Sequence, residues 1–580
     1  MKRDCHFSNP RRKTLVLESR LKDLEAKAKA YDLLFKNESH QHVDHDTSEA
    51  EEIESDDSMF ETSSSDALIQ KVMRIKRLRE IKVDKPSLFE IEKLSGNPQL
   101  SSFDVKYAEF LMMKTLTAIF LPLEPEGLKQ KFIEYSASGS LKFPSCDDDY
   151  WKQLLMITIA MGQLWDSSSA TSAQIYPGYD FFIATLASID LTHSLRHPRL
   201  IEVCNCICYY FRAIGDEKNA LFYSNVAIEL AVLMRLYVPD PSERDKLQEY
   251  RKQLWWKTYT INRFIDLKVG DPLLINRHLI KIGFPRTFFD PVPGGGDSPD
   301  ASYISSYFNL ALLSEDIINV IYLKAGLQSG KQKYLKSVWE VIQKILDWTK
   351  GLPEKYKAHE LVNLPLDKKR WCGSLHLIHC FVVHVATIPI FLRVIKKKQE
   401  NKALGLEYEF EELPNLVATL LTICFNFACQ ALEVVAMLYS NNILAVFGPM
   451  DLDHLYGASM TFYMAMLLGY KQFPNAEQSL QKCLRYAKFM ADSGNKRAKE
   501  EYRFLINAIK ELKQSDSEDF SVLGDIELPI HAESQSPIFE PPNNLDFLSE
   551  IDAQFWEEVY MQGPEINYSL DSGDFFENLI

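Results

Sequence analysis

Cys372, His376, Cys380 and His384 each lie four residues after the last, so a helix would set them in one stripe. Thiolate and imidazole are zinc ligands, and a structural zinc site takes four of them in a tetrahedron. This stripe, however, would run roughly 18 Å along a helix axis. At most two of its members can share an ion. The pattern reads as a row of core side chains. Cys204, Cys206 and Cys208 read the same way. Positions i and i+2 face apart on a helix, so only Cys204 and Cys208 could meet one metal, and buried thiols are the default. Asp147, Asp148 and Asp149 invite a divalent-cation reading. An aspartate-rich site needs acids four apart on one helix turn, and Trp151 fills that place. A solvated helix start is the expectation. No glycine-rich phosphate loop, GxSxG elbow or HExxH pair occurs. No convergent acid–base set points to an enzyme.

The elements that carry these residues are helical. From about Ser102 to Lys513 the apolar residues recur at helical spacing, with few alternating runs, so the fold class is all-α. A helix over Asp216–Tyr237 would gather Ala220, Tyr223, Ala227, Leu230 and Met234 on one face. The next helix should run from about Glu243 to Val269 and stop at Gly270, with Pro272 beyond it. Trp371–Leu392 and Leu413–Leu432 lack Asp, Glu, Lys and Arg and are long enough to span a bilayer. The first holds three histidines and Pro389; the second holds Asn415, Asn426 and Gln430. Such groups are costly against lipid. Two buried core helices, and no membrane, are expected.

Charge is unevenly placed along the 580 residues. The net charge is −15, yet Glu38–Gln70 holds eleven acids and Gln514–Ile580 sixteen, neither with a Lys or Arg. Residues 1–36 hold ten basic and five acidic residues. A basic head, a body and an acidic tail suggest polyanion binding at one end and an interaction segment at the other. Ten widely spread cysteines, with no apolar stretch at the start, indicate a reducing compartment.

Thr14, Leu17, Leu21, Leu24, Ala28, Tyr31 and Phe35 are spaced 3, 4, 3, 4, 3, 4. That is the seam of a three-heptad coiled coil, a dimerisation element. Five segments follow: residues 1–36 with the coil, a disordered acidic linker at 37–70, a basic helical connector at 71–101, the helical body at 102–513, and an acidic tail at 514–580. In the tail, Phe547, Leu548, Ile551, Phe555, Trp556, Phe575, Phe576 and Leu579 are embedded among acids. That interleaving is expected of a segment that folds on a partner's apolar groove.

One stretch carries a resemblance. Ala220–Ala231, ALFYSNVAIELA, is followed by Leu236-Tyr237 and then by Glu249, Arg251, Leu254-Trp255-Trp256, Tyr259, Arg263, Gly270, Pro272, Ile275, Ile280 and Pro285. In order and spacing these residues resemble the large helical regulatory domain of the fungal binuclear zinc cluster transcription factors. The signature falls within residues 196–285, and the double tryptophan after a charged Glu/Arg segment is its strongest mark. Glu229, Arg235, Tyr237, Lys252-Gln253, Asn262 and Asp271 depart from the family's usual residues without breaking the spacing. Cys5, followed by Arg11-Arg12-Lys13 and the coil of Leu17, Leu21, Leu24, Ala28 and Tyr31, looks like the family's last cluster cysteine, basic linker and dimerisation coil.

The resemblance implies a nuclear transcription regulator, an activator of RNA polymerase II genes, that is dimeric and not an enzyme. In the family, six cysteines hold two zinc ions, and each cluster contacts a CGG-type half-site of DNA. Arg11, Arg12 and Lys13 would follow the phosphate backbone and serve nuclear import. Only Cys5 of the cluster is present, so no stoichiometric zinc is expected here, and an upstream segment carrying the other ligands is the expectation. The helical domain would restrain the tail and answer to a metabolite or partner; the tail would bind coactivators. A cluster-less interaction or scaffold protein is the alternative, and a helical enzyme the third reading.

Overall fold

The computed structural model describes residues 105–119, 123–137, 150–166, 176–189, 197–269, 273–287, 299–323, 331–403, 409–410 and 413–515. The described residues are helical and contain no strand. In chain order the α-helices are α1 (Val105–Ile119), α2 (Pro125–Ser136), α3 (Trp151–Trp165), α4 (Tyr179–Ser188), α5 (Pro198–Ala213), α6 (Glu217–Leu233), α7 (Asp245–Val269), α8 (Ala301–Ile317), α9 (Lys331–Gly351), α10 (Leu366–Ala403), α11 (Asn415–Ser440), α12 (Pro449–Leu468), α13 (Ala476–Asp492) and α14 (Lys496–Ser515).

The helices divide by how apolar they are. In α3 every residue from Trp151 to Leu164 except Lys152 is buried, and α5 is buried from Leu200 to Ala213. Helices apolar on all sides belong inside. By contrast, α13 buries Leu480, Cys483, Leu484, Ala487 and Met490 at three- and four-residue spacing and turns its other side to water. The innermost helices approach closely. A Cβ on Gly162 of α3 would strike the Leu111 backbone of α1, so only glycine fits that crossing.

Local chemistry sets the helix ends. Pro198 opens α5 where a missing N–H costs nothing, and His197 Nδ1 accepts from Arg199 N at 3.3 Å. Asp216 caps α6 through Asn219 N at 3.1 Å, and Asp300 caps α8 through Ser302 N and Tyr303 N. α12 stops at Gly469 in the left-handed region.

The two long apolar stretches lie in α10 and α11. The most apolar window of α10 is 94% buried within the protein, that of α11 67%. α10 passes through Pro389 without ending. α11 lies between α10, α12 and α13, where Tyr439 meets Tyr486 and Phe489. Both stretches are core helices, as their polar residues suggest.

Candidate regulatory core

The segment that carries the signature is built on α7. Trp255 is fully buried and Trp256 nearly so, on different sides of the helix. Trp255 packs on Tyr237 beyond the end of α6, with ring centres 5.6 Å apart, and on Tyr259. Trp256 lies edge-on to Phe284 at 4.5 Å, and its Nε1 donates to Gly283 O at 2.9 Å. Lys281 N and Ile282 N both donate to Tyr237 O. Together these contacts fasten the segment around residues 280–284 across α7 and the α6 corner.

The charged signature residues bind backbone. Arg251 donates to Arg235 O at 2.8 Å and Val238 O at 3.3 Å while pairing with Glu243 at 3.1 Å. It straps a corner where Arg235 itself takes φ 53°, a conformation costly for a non-glycine residue. Glu249 accepts from Arg286 N and Thr287 N.

Deeper on α7, Arg263 is wholly buried. Its Nη2 donates to Asn262 Oδ1 at 2.9 Å, Nη1 lies 3.3 Å from Asp266 Oδ2, and the guanidinium sits over the Tyr259 ring. Asn262 Nδ2 reaches Ser224 Oγ and Asn225 Oδ1 on α6. Tyr259 OH donates to Glu315 on α8, whose other oxygen accepts from Arg277 N. Arg251, Trp255 and Trp256 therefore tie α7 to the α6 corner or to the segment after α7, Tyr259 ties it to α8, and Arg263 is held by side chains of its own helix. None of these contacts forms an acid–base pair open to a substrate.

A second polar cluster joins this region to the end of the body, and sequence reading missed it. Asp453 on α12 accepts from Lys268 Nζ at 2.7 Å, from Arg212 Nη2 at 3.1 Å and from Arg497 on α14. Lys268 also reaches Glu217 at 2.6 Å, and Arg497 reaches Glu501 at 3.0 Å. Burial alone would raise the Asp453 carboxyl; Arg497, Lys268 and Arg212 outweigh it and hold the group well below the usual carboxylate range. Three cations face three anions, which is how such a cluster can lie out of water. Its members come from α5, α6, α7, α12 and α14, so no local spacing could reveal it.

Glu202 on α5 was also missed. Its two oxygens accept from Leu123 N at 2.7 Å and Tyr250 OH at 3.0 Å, and burial raises its carboxyl to about 7.

The Cys/His stripe of α10 lies in the core. His376 Nε2 meets Tyr356 O at 2.8 Å, and His379 Nε2 meets Thr349 Oγ1 at 3.1 Å. His379 packs between Trp348 and Phe427. Burial lowers His376 and His384 to about 4 and His379 to about 3. Cys204, Cys206, Cys208, Cys372 and Cys380 are buried, and burial pushes each thiol up. Among the described residues no three His, Cys, Asp or Glu converge to hold a metal.

The described residues include Glu249, Arg251, Trp255, Trp256 and Arg263. Gly270 and Pro272 lie outside them, as do Asp147–Asp149, Cys5, Arg11, Arg12, Lys13, the coil positions and the apolar residues of the tail.

Comparison with known proteins bears on the same region. The model of the fungal specific transcription factor domain matches residues 141–343, which contain all of the signature. An uncharacterized transcriptional regulatory protein of Schizosaccharomyces pombe is 22% identical over 269 residues, covering 45% of this chain. The chain spans 33% of that relative's length.

Proposed function

We propose that this chain is a nuclear regulator of transcription, an activator of RNA polymerase II genes that works as a dimer. The observation that carries the reading is the fungal specific transcription factor domain at residues 141–343. A relative named as a transcriptional regulatory protein supports it. In this reading the coil of Leu17, Leu21 and Leu24 pairs two chains, Arg11, Arg12 and Lys13 follow DNA phosphates, and the tail meets coactivators. Zinc would come with the cluster to which Cys5 would belong. The experiment is to fuse the full chain to an unrelated DNA-binding domain and read a reporter in nuclei. Raised expression is expected; a fusion that is nuclear and abundant but silent rejects the reading.

A second reading is an interaction protein that regulates without a zinc cluster of its own. A cluster-less co-regulator would use the same helical domain and reach DNA through a partner. The full chain should then hold no zinc pair and bind DNA weakly, with steep salt dependence. Two zinc ions per chain would overturn this reading.

A further inference from the structure

The outer face of α6 is uncovered among the described residues. Its inner side, Ala220, Ser224, Ala227, Ile228, Leu230 and Ala231, is buried. The opposite side presents Lys218, Phe222, Glu229 and Leu233, spaced by whole helical turns, and all four are exposed. Phe222 is 52% and Leu233 55% exposed. Exposed apolar residues are individually ordinary, and what distinguishes this face is that Phe222 shares it with an exposed cation, Lys218, and an exposed anion, Glu229. Among the described residues, neither Lys218 nor Glu229 enters an ion pair.

The order of residues makes this face complementary to itself. If a second α6 is laid antiparallel, Lys218 falls opposite Glu229 of the second copy, and Glu229 opposite its Lys218. In the same alignment Phe222 falls opposite Asn225 and Leu221 opposite Val226, close to the two-fold axis, while Leu233 reaches past Glu217, the first residue of the second helix. Such mutual matching is what a two-fold interface requires. We propose that α6 is a self-association face, on which a second copy of this chain docks antiparallel through Phe222 and two Lys218–Glu229 pairs. One helix face is smaller than the roughly 800 Å² per partner of a standard interface. The contact is therefore weak alone and gains from any second tether between the same two chains.

The proposal does not depend on the coil, and the test separates the two. Sedimentation equilibrium is run on the full chain, with and without Leu21→Asp, which opposes a coil. In both backgrounds Phe222→Asp should weaken self-association by about tenfold or more, since a charge would be buried. Lys218→Glu and Glu229→Lys should each weaken it several-fold, because both pairs become repulsive. An equimolar mixture of those two variants should associate as tightly as the unaltered chain, because every pair is opposite again. An unchanged dissociation constant for Phe222→Asp in both backgrounds overturns the proposal and leaves the face to another occupant. A mixture no tighter than its separate components also overturns it. The response to Leu21→Asp alone reports on the coil and leaves these outcomes untouched.

Discussion

Lys268 Nζ and Asp453 Oδ1 lie 2.7 Å apart in the fold and 185 residues apart in the chain. Lys268 lies in the last turn of the helix that carries the double tryptophan, and Asp453 belongs to α12, beyond the segment matched to the transcription factor domain. The regulatory core is therefore closed by helices that the matched segment does not contain.

Removing Asp453 should be severe. Asp453→Ala would leave Lys268, Arg212 and Arg497 buried with Glu217 and Glu501 alone. Breaking a buried ion cluster from one side costs about 3–5 kcal/mol. Chemical denaturation should show that loss. An isolated 141–343 fragment should fail to unfold cooperatively for the same reason. An unchanged midpoint in the variant would mean that water reaches these charges.

The two tryptophans should act through packing. Trp255→Ala or Trp256→Ala should each cost about 3–5 kcal/mol. Trp256→Phe keeps most of the ring contact with Phe284 but loses the hydrogen bond to Gly283 O, a smaller cost of about 1 kcal/mol. Thermal melts rank the three. If the alanine variants melt with the unaltered chain, the pair must serve a surface role.

Acid should weaken the fold earlier than carboxylates alone would. His376, His379, His384 and His454 are buried, and burial lowers them to about 4, 3, 4 and 3. In the unfolded chain they titrate near 6.5. As pH falls below about 6.5 the unfolded state gains protons that the native state refuses, so native stability falls. Glu202, raised to about 7 by burial, works the other way between about 7 and 4.5. It offsets about one of the four protons. Asp453, held low by its cations, adds its loss only at more acid pH, below its unfolded value. Melting temperature should drop steeply between about pH 6.5 and about pH 5, where the unfolded histidines take up their protons. A flat profile there would contradict the buried neutral histidines.

The all-helical class was legible because helical spacing runs through the body. α6 was expected over Asp216–Tyr237 and spans Glu217–Leu233, with Asp216 as its cap. α7 begins at Asp245, two residues after the expected Glu243. Trp255 and Trp256 could be read as structural from their type and their divergence around the helix. Arg263 could not be placed so deeply, because an arginine in sequence suggests a surface until Asn262, Asp266 and Tyr259 are seen around it. Asp453 was invisible for a different reason. Its partners are set by tertiary packing of five helices, and an aspartate at the fourth position of MDLDHLY carries no mark of that.

The tail offers the most direct test of activation. In the proposed reading, its sixteen acids with no basic residue would repel one another and leave the embedded apolar residues to a partner. Leu548, Ile551, Phe555 and Val559 would share one face if residues 545–560 became helical on a partner. A groove lined by apolar side chains and rimmed by basic ones would then satisfy both parts of the pattern, with the ordering cost met on binding. A purely solubilising segment would lack Phe547, Phe555, Trp556, Phe575 and Phe576. Residues 514–580 fused to an unrelated DNA-binding domain should therefore activate a reporter. Phe555→Ala with Trp556→Ala should reduce the signal strongly, because each ring removes a large apolar contact. Single acid-to-amide changes should do little, since one charge among sixteen is screened and replaceable. A nuclear, expressed and silent fusion would reject activation through this segment and favour the co-regulator that works through its helical domain.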